Sequence, residues 1–212
     1  MEPRAAEPPT IVPVRKRQRL ETRERVFAAA IREFRRVGVP QAQVEDIVRA
    51  AGVARGTFYL HFPSKEHVLL EYSARDQVAV ADELRAALGC SPRSFLQRAA
   101  DLVLDVAAAE VPAVSREIFI AIARHATELE SERMPLVEVV EAFFAAAQTR
   151  GDIRRDLDPS ELVAAFFPGV FGVLLLELES DATELRATLH AVVEIFVRGI
   201  VSENGRGRDT SR

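Results

Sequence analysis

Arg55, Thr57, Tyr59, His61 and Lys65 crowd into eleven residues of "AGVARGTFYLHFPSKE" (51–66). Side chains of these types serve three chemistries: catalysis, metal ligation, or a grip on something negatively charged. Nucleophilic catalysis needs a nucleophile beside a base, and Cys90, the single cysteine, has no histidine near it in sequence. A metal site needs several converging ligands. His61 and His67 are six residues apart, do not share a helix face, and have no carboxylate spaced to complete a set. No catalytic residue, metal or cofactor is therefore assigned. The anion grip remains, because Arg forks onto guanine or phosphate and Lys, Tyr and His reach backbone oxygens.

The charge distribution points the same way. The 212-residue chain carries a net −4. Residues 1–65, however, hold 13 Lys and Arg against 7 Asp and Glu, a net +6, which leaves −10 on the rest. A basic module on an acidic body suits a polyanionic partner. Hydrophobic residues make up 48% and charged residues 28%, as in an ordinary soluble globular protein. One cysteine excludes an intramolecular disulfide framework and fits a reducing compartment. The first ten residues include Glu2, Arg4, Glu7 and three prolines, unlike a secretory signal. The longest uncharged run, Leu162 to Leu176, is shorter than the roughly 20 residues that span a bilayer. A cytoplasmic, non-membrane protein is expected.

The elements that must position the cluster are helical. Residues 1–19, proline-rich and then basic ("RKRQR", 15–19), are expected to form a disordered arm reaching toward nucleic acid. Phe27, Ile31 and Phe34 give the apolar stripe of a first helix over about 20–37, ended by Gly38. Val44, Ile47, Val48 and Ala51 make a short second helix, stopped by Gly52. A third runs from Arg55 to about Phe62, where Pro63 disfavours helix. Ser64 is expected to cap a fourth helix, over 64–88. Two short helices around a glycine turn form a helix-turn-helix signal. Ile47, Val48, Val53 and Phe58 would knot them together, with Phe58 and Phe62 as core and Tyr59 outside. The second helix is then free to enter a major groove, with Arg55, Gly56 and Thr57 at its base-reading N-terminus. Tyr59, His61 and Lys65 would lie along the backbone. Beyond residue 64 the caps Ser91-Pro92, Val111-Pro112, Pro135, "DPSE" (158–161) and "DATE" (181–184) punctuate further helices, one of them extending to about Glu130. The class is all-α. The boundaries are 20–65 for the helix-turn-helix domain, 66–201 for a larger domain, and 202–212 for a polar, disordered tail.

"VEDIVRAAGVARGTFYLHFPSKEHVL" (44–69) closely resembles the DNA-binding segment of TetR/AcrR-family transcriptional regulators. The resemblance covers about residues 20–70 by motif. It implies a homodimer of two-domain, all-α subunits on a palindromic double-stranded DNA operator, usually a repressor that a small ligand releases. Carried over, Arg55, Gly56 and Thr57 face bases, while Tyr59, His61 and Lys65 contact phosphates. The family usually has Thr or Ser at the place of Ala42 and Ser at that of Ala54. Both short helices thus lack their hydroxyl caps, and Gln43 replaces one contact.

The acidic body supplies the other expectations. Helix 159–179 is apolar on nearly every face and needs cover on all sides. With the next helix it is expected to pair with its symmetry mate as a four-helix bundle, through Phe166, Val170, Phe171, Leu174, Leu185, Leu189, Val193 and Phe196. Gly169 and Gly172 would permit close approach. An apolar or aromatic effector is expected among Phe119, Ile122, His125, Phe143, Phe144, Ala147 and Phe167, coupled to the DNA-reading helices through helix 64–88; the alternative for each of these residues is plain core. Alternative readings are a DNA-binding activator or effector-independent protein or, from another class, a small helical ligand-binding module or enzyme.

Overall fold

The structure, a computed structural model, describes residues 14–125, 134–177 and 180–201. It divides into two compact units, 1–68 and 69–212, three residues beyond the expected boundary. The described residues are helical as expected, apart from loops and one isolated antiparallel bridge between Ile153 and Val201.

The first unit contains α1 (Val14–Val37), α2 (Val44–Ala51), α3 (Arg55–His61) and the start of α4 (Lys65–Arg85). Helix α1 begins at Val14, so the basic run 15–19 is helical and not part of an irregular arm. Arg, Lys and Gln are good helix formers, and Arg17 Nε lies 3.6 Å from Glu21 Oε1, one turn on. Residues 1–13 and 202–212, both expected to be disordered, lie outside the described residues. Val26, Phe27, Ala30, Ile31 and Phe34 bury the inner face of α1. Ile47, Val48 and Ala51 of α2, with Phe58 and Phe62, complete this small core. Phe62 lies 6.0 Å from Phe58 and 6.4 Å from Phe27, centroid to centroid.

Between α2 and α3 the chain turns at Gly52, whose φ of 66° is left-handed. The Val53 N–H reaches back to the Val48 carbonyl at 3.0 Å. This six-to-one bond is the mark of a Schellman cap, and glycine occupies its left-handed position without Cβ strain.

The second unit takes the rest of α4 with α5 (Pro92–Ala108), α6 (Pro112–Arg124), α7 (Pro135–Arg150), α8 (Pro159–Glu177) and α9 (Ala182–Ile200). Three of the expected capping contacts form. Ser91 Oγ accepts from Ser94 N–H at 3.3 Å, Glu161 Oε2 from Asp158 N–H at 2.7 Å, and Asp181 Oδ1 from Thr183 N–H at 2.8 Å. Helix α4 ends at Arg85, ahead of the expected 88. Helix α6 ends at Arg124, and Glu130, its expected end, lies outside the described residues.

Helix α8 continues through Pro168 and is long and apolar enough, by length and composition, to cross a membrane. Its Leu162, Phe166, Val170 and Leu174 are nevertheless buried in the unit's own core. There Phe95 of α5 stacks on Phe143 of α7 at 3.8 Å, and Phe166 lies 5.2 Å from Phe196 of α9.

The residues expected at a subunit contact therefore need correction. Phe166, Val170, Leu174, Leu185, Leu189 and Val193 are buried within their own unit, while Phe171 and Phe196 are half-buried against the same core. The most apolar stripes of α8 and α9 cover each other and their neighbours, which is where burial removes most apolar surface from water. Gly169 serves the same packing, since a Cβ there would meet Val192 Cγ1 at 3.2 Å. At Gly172 a Cβ would meet nothing within 4 Å.

Candidate nucleic-acid interface and effector cavity

Phe58 and Phe62 fix α3 from beneath, leaving Arg55, Gly56, Tyr59 and Leu60 on its exposed side. The division expected for the aromatic residues holds, with Phe58 and Phe62 in the core and Tyr59 46% exposed. Leu60, at 67% exposure, was not anticipated. Its signal was an apolar residue next to Tyr59 on a face otherwise polar.

Arg55 Nη1 lies 2.6 Å from Glu45 Oε1 of α2, and its guanidinium sits 5.9 Å from the centre of the Tyr59 ring. The hydrogen bond to Tyr59 first, and the charge of Glu45 second, raise its pKa above the ordinary arginine value. Both Arg55 and Glu45 are well exposed, so the pair fixes a rotamer more than it stabilises the fold. At Gly56, φ is not positive and an added Cβ would find open space. Glycine here is not required by the free fold. Thr57 is half-buried, its N–H bonded to the Ala54 carbonyl at 2.9 Å. Neither Gln43 nor Ala54 caps its helix with a side chain, as expected from the missing hydroxyls. Gln43 is exposed and its amide reaches only to the Gln41 carbonyl, at 3.2 Å.

His61 is half-buried at the end of α3. Burial first, then the charges of Arg19 and Arg23 on α1, push its pKa below the usual imidazole value. Three basic or titratable groups thus meet at one edge. Arg23 also lies over the Phe62 ring at 4.6 Å. Arg19 and Arg23, one turn apart, are candidate site residues that sequence reasoning missed. A first helix starting at about 20 leaves Arg19 in the arm and separates the pair.

Lys65 is placed differently from expectation. Its Nζ donates to the carbonyls of Val39 at 2.7 Å and Ala42 at 3.0 Å, with Pro40 at 3.4 Å. An ammonium has three donors, and this loop engages all of them. Lys65 thus ties the α1–α2 loop to the first turn of α4 instead of facing outward. The Ser64 hydroxyl, expected as a cap, meets His67 Nδ1 at 2.9 Å.

Likeness to known proteins points the same way as this geometry. Residues 26–72 match the family described as bacterial regulatory proteins, tetR family. TtgR, an HTH-type transcriptional regulator of Pseudomonas putida, is 29% identical over 171 residues, covering 75% of this chain and 81% of TtgR. Residues 26–72 are thus a TetR-type DNA-binding segment. AcrR of Shigella flexneri, another HTH-type transcriptional regulator, is 28% identical over 120 residues, 55% of this chain and 54% of AcrR. Thermus thermophilus FadR, a TetR-family repressor solved with lauroyl-CoA, superposes with a TM-score of 0.72, 24% identity and coverage of 85% of this chain and 96% of its own. RolR, solved with resorcinol, gives 0.69 at 17% identity, covering 92% and 94%. At these identities the structures speak for the fold alone. These likenesses support a DNA-binding transcriptional regulator whose helix-turn-helix is the DNA-reading element.

The second unit holds a cavity between α4, α5 and α6 with about 60 Å³ of free space. Phe119 and Ile122, two of the seven expected effector residues, line it. Phe143, Phe144 and Ala147 are fully buried in the core. Phe167 packs 5.4 Å from the lining residue Phe171, and His125 caps the end of α6. The residues missed are polar: Tyr72, Ser73, Asp76 and Gln77 of α4, with Glu110 and Ser115. Their signal was the polar run along α4, and Ser73 and Gln77 at i, i+4 on its buried face.

Proposed function

We propose that this regulator is a cytoplasmic homodimeric repressor that holds a palindromic operator with two copies of α3 and lets it go when a small apolar molecule enters the second unit. The observation that carries this reading is the exposed face of α3, with Arg55, Gly56, Tyr59 and Leu60 raised on a buried aromatic base. One short helix makes too few base contacts for specificity. A twofold pair reading half-sites about 34–36 Å apart supplies the rest. Arg55, Gly56 and Thr57 face bases, Tyr59 and His61 the backbone, and Arg19 and Arg23 join His61 in neutralising phosphates.

The partner copy lies on the outer faces of α8 and α9. Ala165, Pro168, Gly172 and Leu176 on one, and Ala187, Ala191, Ile195 and Gly199 on the other, are uncharged, mostly small and exposed to varying degree. Leu176 at 82% and Ile195 at 74% are the largest exposed apolar side chains there. Small residues let helices approach closely, and two such faces meeting about a twofold axis form a four-helix contact.

Release requires that ligand bind the operator-free state better than the operator-bound one. Ligands in the structures of FadR (lauroyl-CoA) and RolR (resorcinol) support an effector for this chain too. A second reading, a regulator without an effector, is favoured by the size of the cavity. Its 60 Å³ falls below the roughly 300 Å³ of a drug-sized site. The two readings separate in an effector titration of free and operator-bound protein. Weaker binding to the complex supports release; equal affinity for both states removes it.

A further inference from the structure

We propose that the cavity between α4, α5 and α6 selects an apolar molecule carrying a hydrogen-bond donor and no negative charge, and that a protonated amine suits it best. The inference rests on the effector reading above and gives that effector a chemical class. Among the described lining residues are two carboxylates, Asp76 and Glu110, and no Lys, Arg or His. Glu110 is buried and fixed at the wall. The Tyr72 hydroxyl donates to its Oε2 at 2.8 Å, and the Val111 N–H donates to its Oε1 at 2.8 Å. An anionic head group brought here would meet like charge in a partly dehydrated space, where Coulomb repulsion is weakly screened. A cation would meet the opposite sign.

Gln77 supplies a second, independent observation. Its side chain lines the cavity and is 8% exposed. Nε2 donates to Ser73 Oγ at 3.0 Å, while Oε1 is buried and accepts from no donor among the described residues. A buried acceptor left this way is costly, and a ligand N–H or O–H satisfies it. Turning the amide over would exchange its two ends, but the carboxyl groups of Asp76 and Glu110 offer acceptor oxygens in either case. The remaining wall, with Val103, Ile118, Phe119 and Phe171, is apolar and covers a hydrocarbon or aromatic body. The preference thus runs from amine to alcohol to carboxylate on the same body.

The test is calorimetric titration of the full chain with phenethylamine, phenethyl alcohol and phenylacetate, three probes sharing a phenyl body. The amine should bind about tenfold or more tighter than phenylacetate, with the alcohol between, as expected for a charge-assisted hydrogen bond. Asp76→Asn, on the half-exposed side of the cavity, should narrow the amine–carboxylate gap several-fold. Glu110→Gln should do the same if it folds. Phenylacetate binding as tightly as the amine, or no binding by any probe at millimolar concentration, overturns the assignment. Operator release is read separately. Probes that bind in the expected order yet leave operator affinity unchanged contradict the repressor reading and leave this one standing. Release by phenylacetate with the order reversed does the opposite.

Discussion

Lys65 Nζ stands 2.7 Å from the carbonyl oxygen of Val39 and 3.0 Å from that of Ala42, so a residue at the start of one helix holds the loop entering another. Hydrogen bonds to a charged donor are among the stronger ones in a small unit. Lys65→Met should lower the stability of the helix-turn-helix by roughly 1–3 kcal/mol, seen in chemical denaturation. The dependence of log operator affinity on log salt should keep its slope, measured where the variant is folded. A slope smaller by about 0.9 would instead make Lys65 a phosphate contact.

Gly56 has open space where a Cβ would sit and no positive φ to protect. Gly56→Ala should stabilise α3, by up to about 1 kcal/mol, because alanine is the better helix former. Operator affinity should nevertheless fall about tenfold or more if the DNA surface approaches this point closely. Unchanged affinity alongside raised stability would show that nothing comes near Gly56 in the complex.

Arg55→Ala should cost about 1–3 kcal/mol of operator binding and relax base preference at one position in each half-site. The check is competition with operators altered singly at each base pair. A uniform loss across all sequences would reassign Arg55 to the phosphates. Glu45, its 2.6 Å partner, orients the guanidinium, so Glu45→Gln should blur the same position without abolishing binding.

Charge on the outer faces of α8 and α9 should separate subunits without unfolding them. Ile195→Glu is expected to sediment as a folded monomer with weakened operator binding, because its side chain is 74% exposed in the single chain. Leu189→Ala, at a buried position, should instead cost about 2–5 kcal/mol of stability. An Ile195→Glu protein that remains dimeric would move the subunit contact elsewhere.

Operator binding should strengthen as the solution is acidified. In the free protein, burial and the charges of Arg19 and Arg23 hold the pKa of His61 below its ordinary value of 6.5. A phosphate placed there offsets the arginine charges and raises it. The complex then binds more protons than the free protein, so affinity climbs as pH falls through the bound-state value, about tenfold per unit of separation between the two states. It levels off below the free-state value. Fluorescence anisotropy between about pH 8 and about pH 5, the range in which histidine titrates, measures this. His61→Gln should flatten the curve, and an equal slope in that variant would assign the proton elsewhere.

The helix-turn-helix was legible because its determinants are local: Gly52 between two short apolar stripes, and Pro63 ending the second. The residues misread depend on contacts distant in sequence. Lys65 looks like a phosphate ligand beside a helix N-terminus, and only the folded loop at 39–42 shows that its donors are engaged. The apolar stripes on α8 and α9 were read correctly as stripes, but periodicity does not tell an inner face from a subunit face when both are apolar. The cavity was sought among aromatic residues, which pack best against one another and close their own gaps. It opened instead where Ser73, Gln77 and Glu110 interrupt that packing.

Selection of bound duplexes from a random pool by the full chain tests the central claim most directly. The account predicts an enriched inverted repeat whose half-site centres lie about one helical turn apart, with the enrichment lost in Arg55→Ala and in Ile195→Glu. No enriched sequence, or a single site without twofold symmetry, would contradict it.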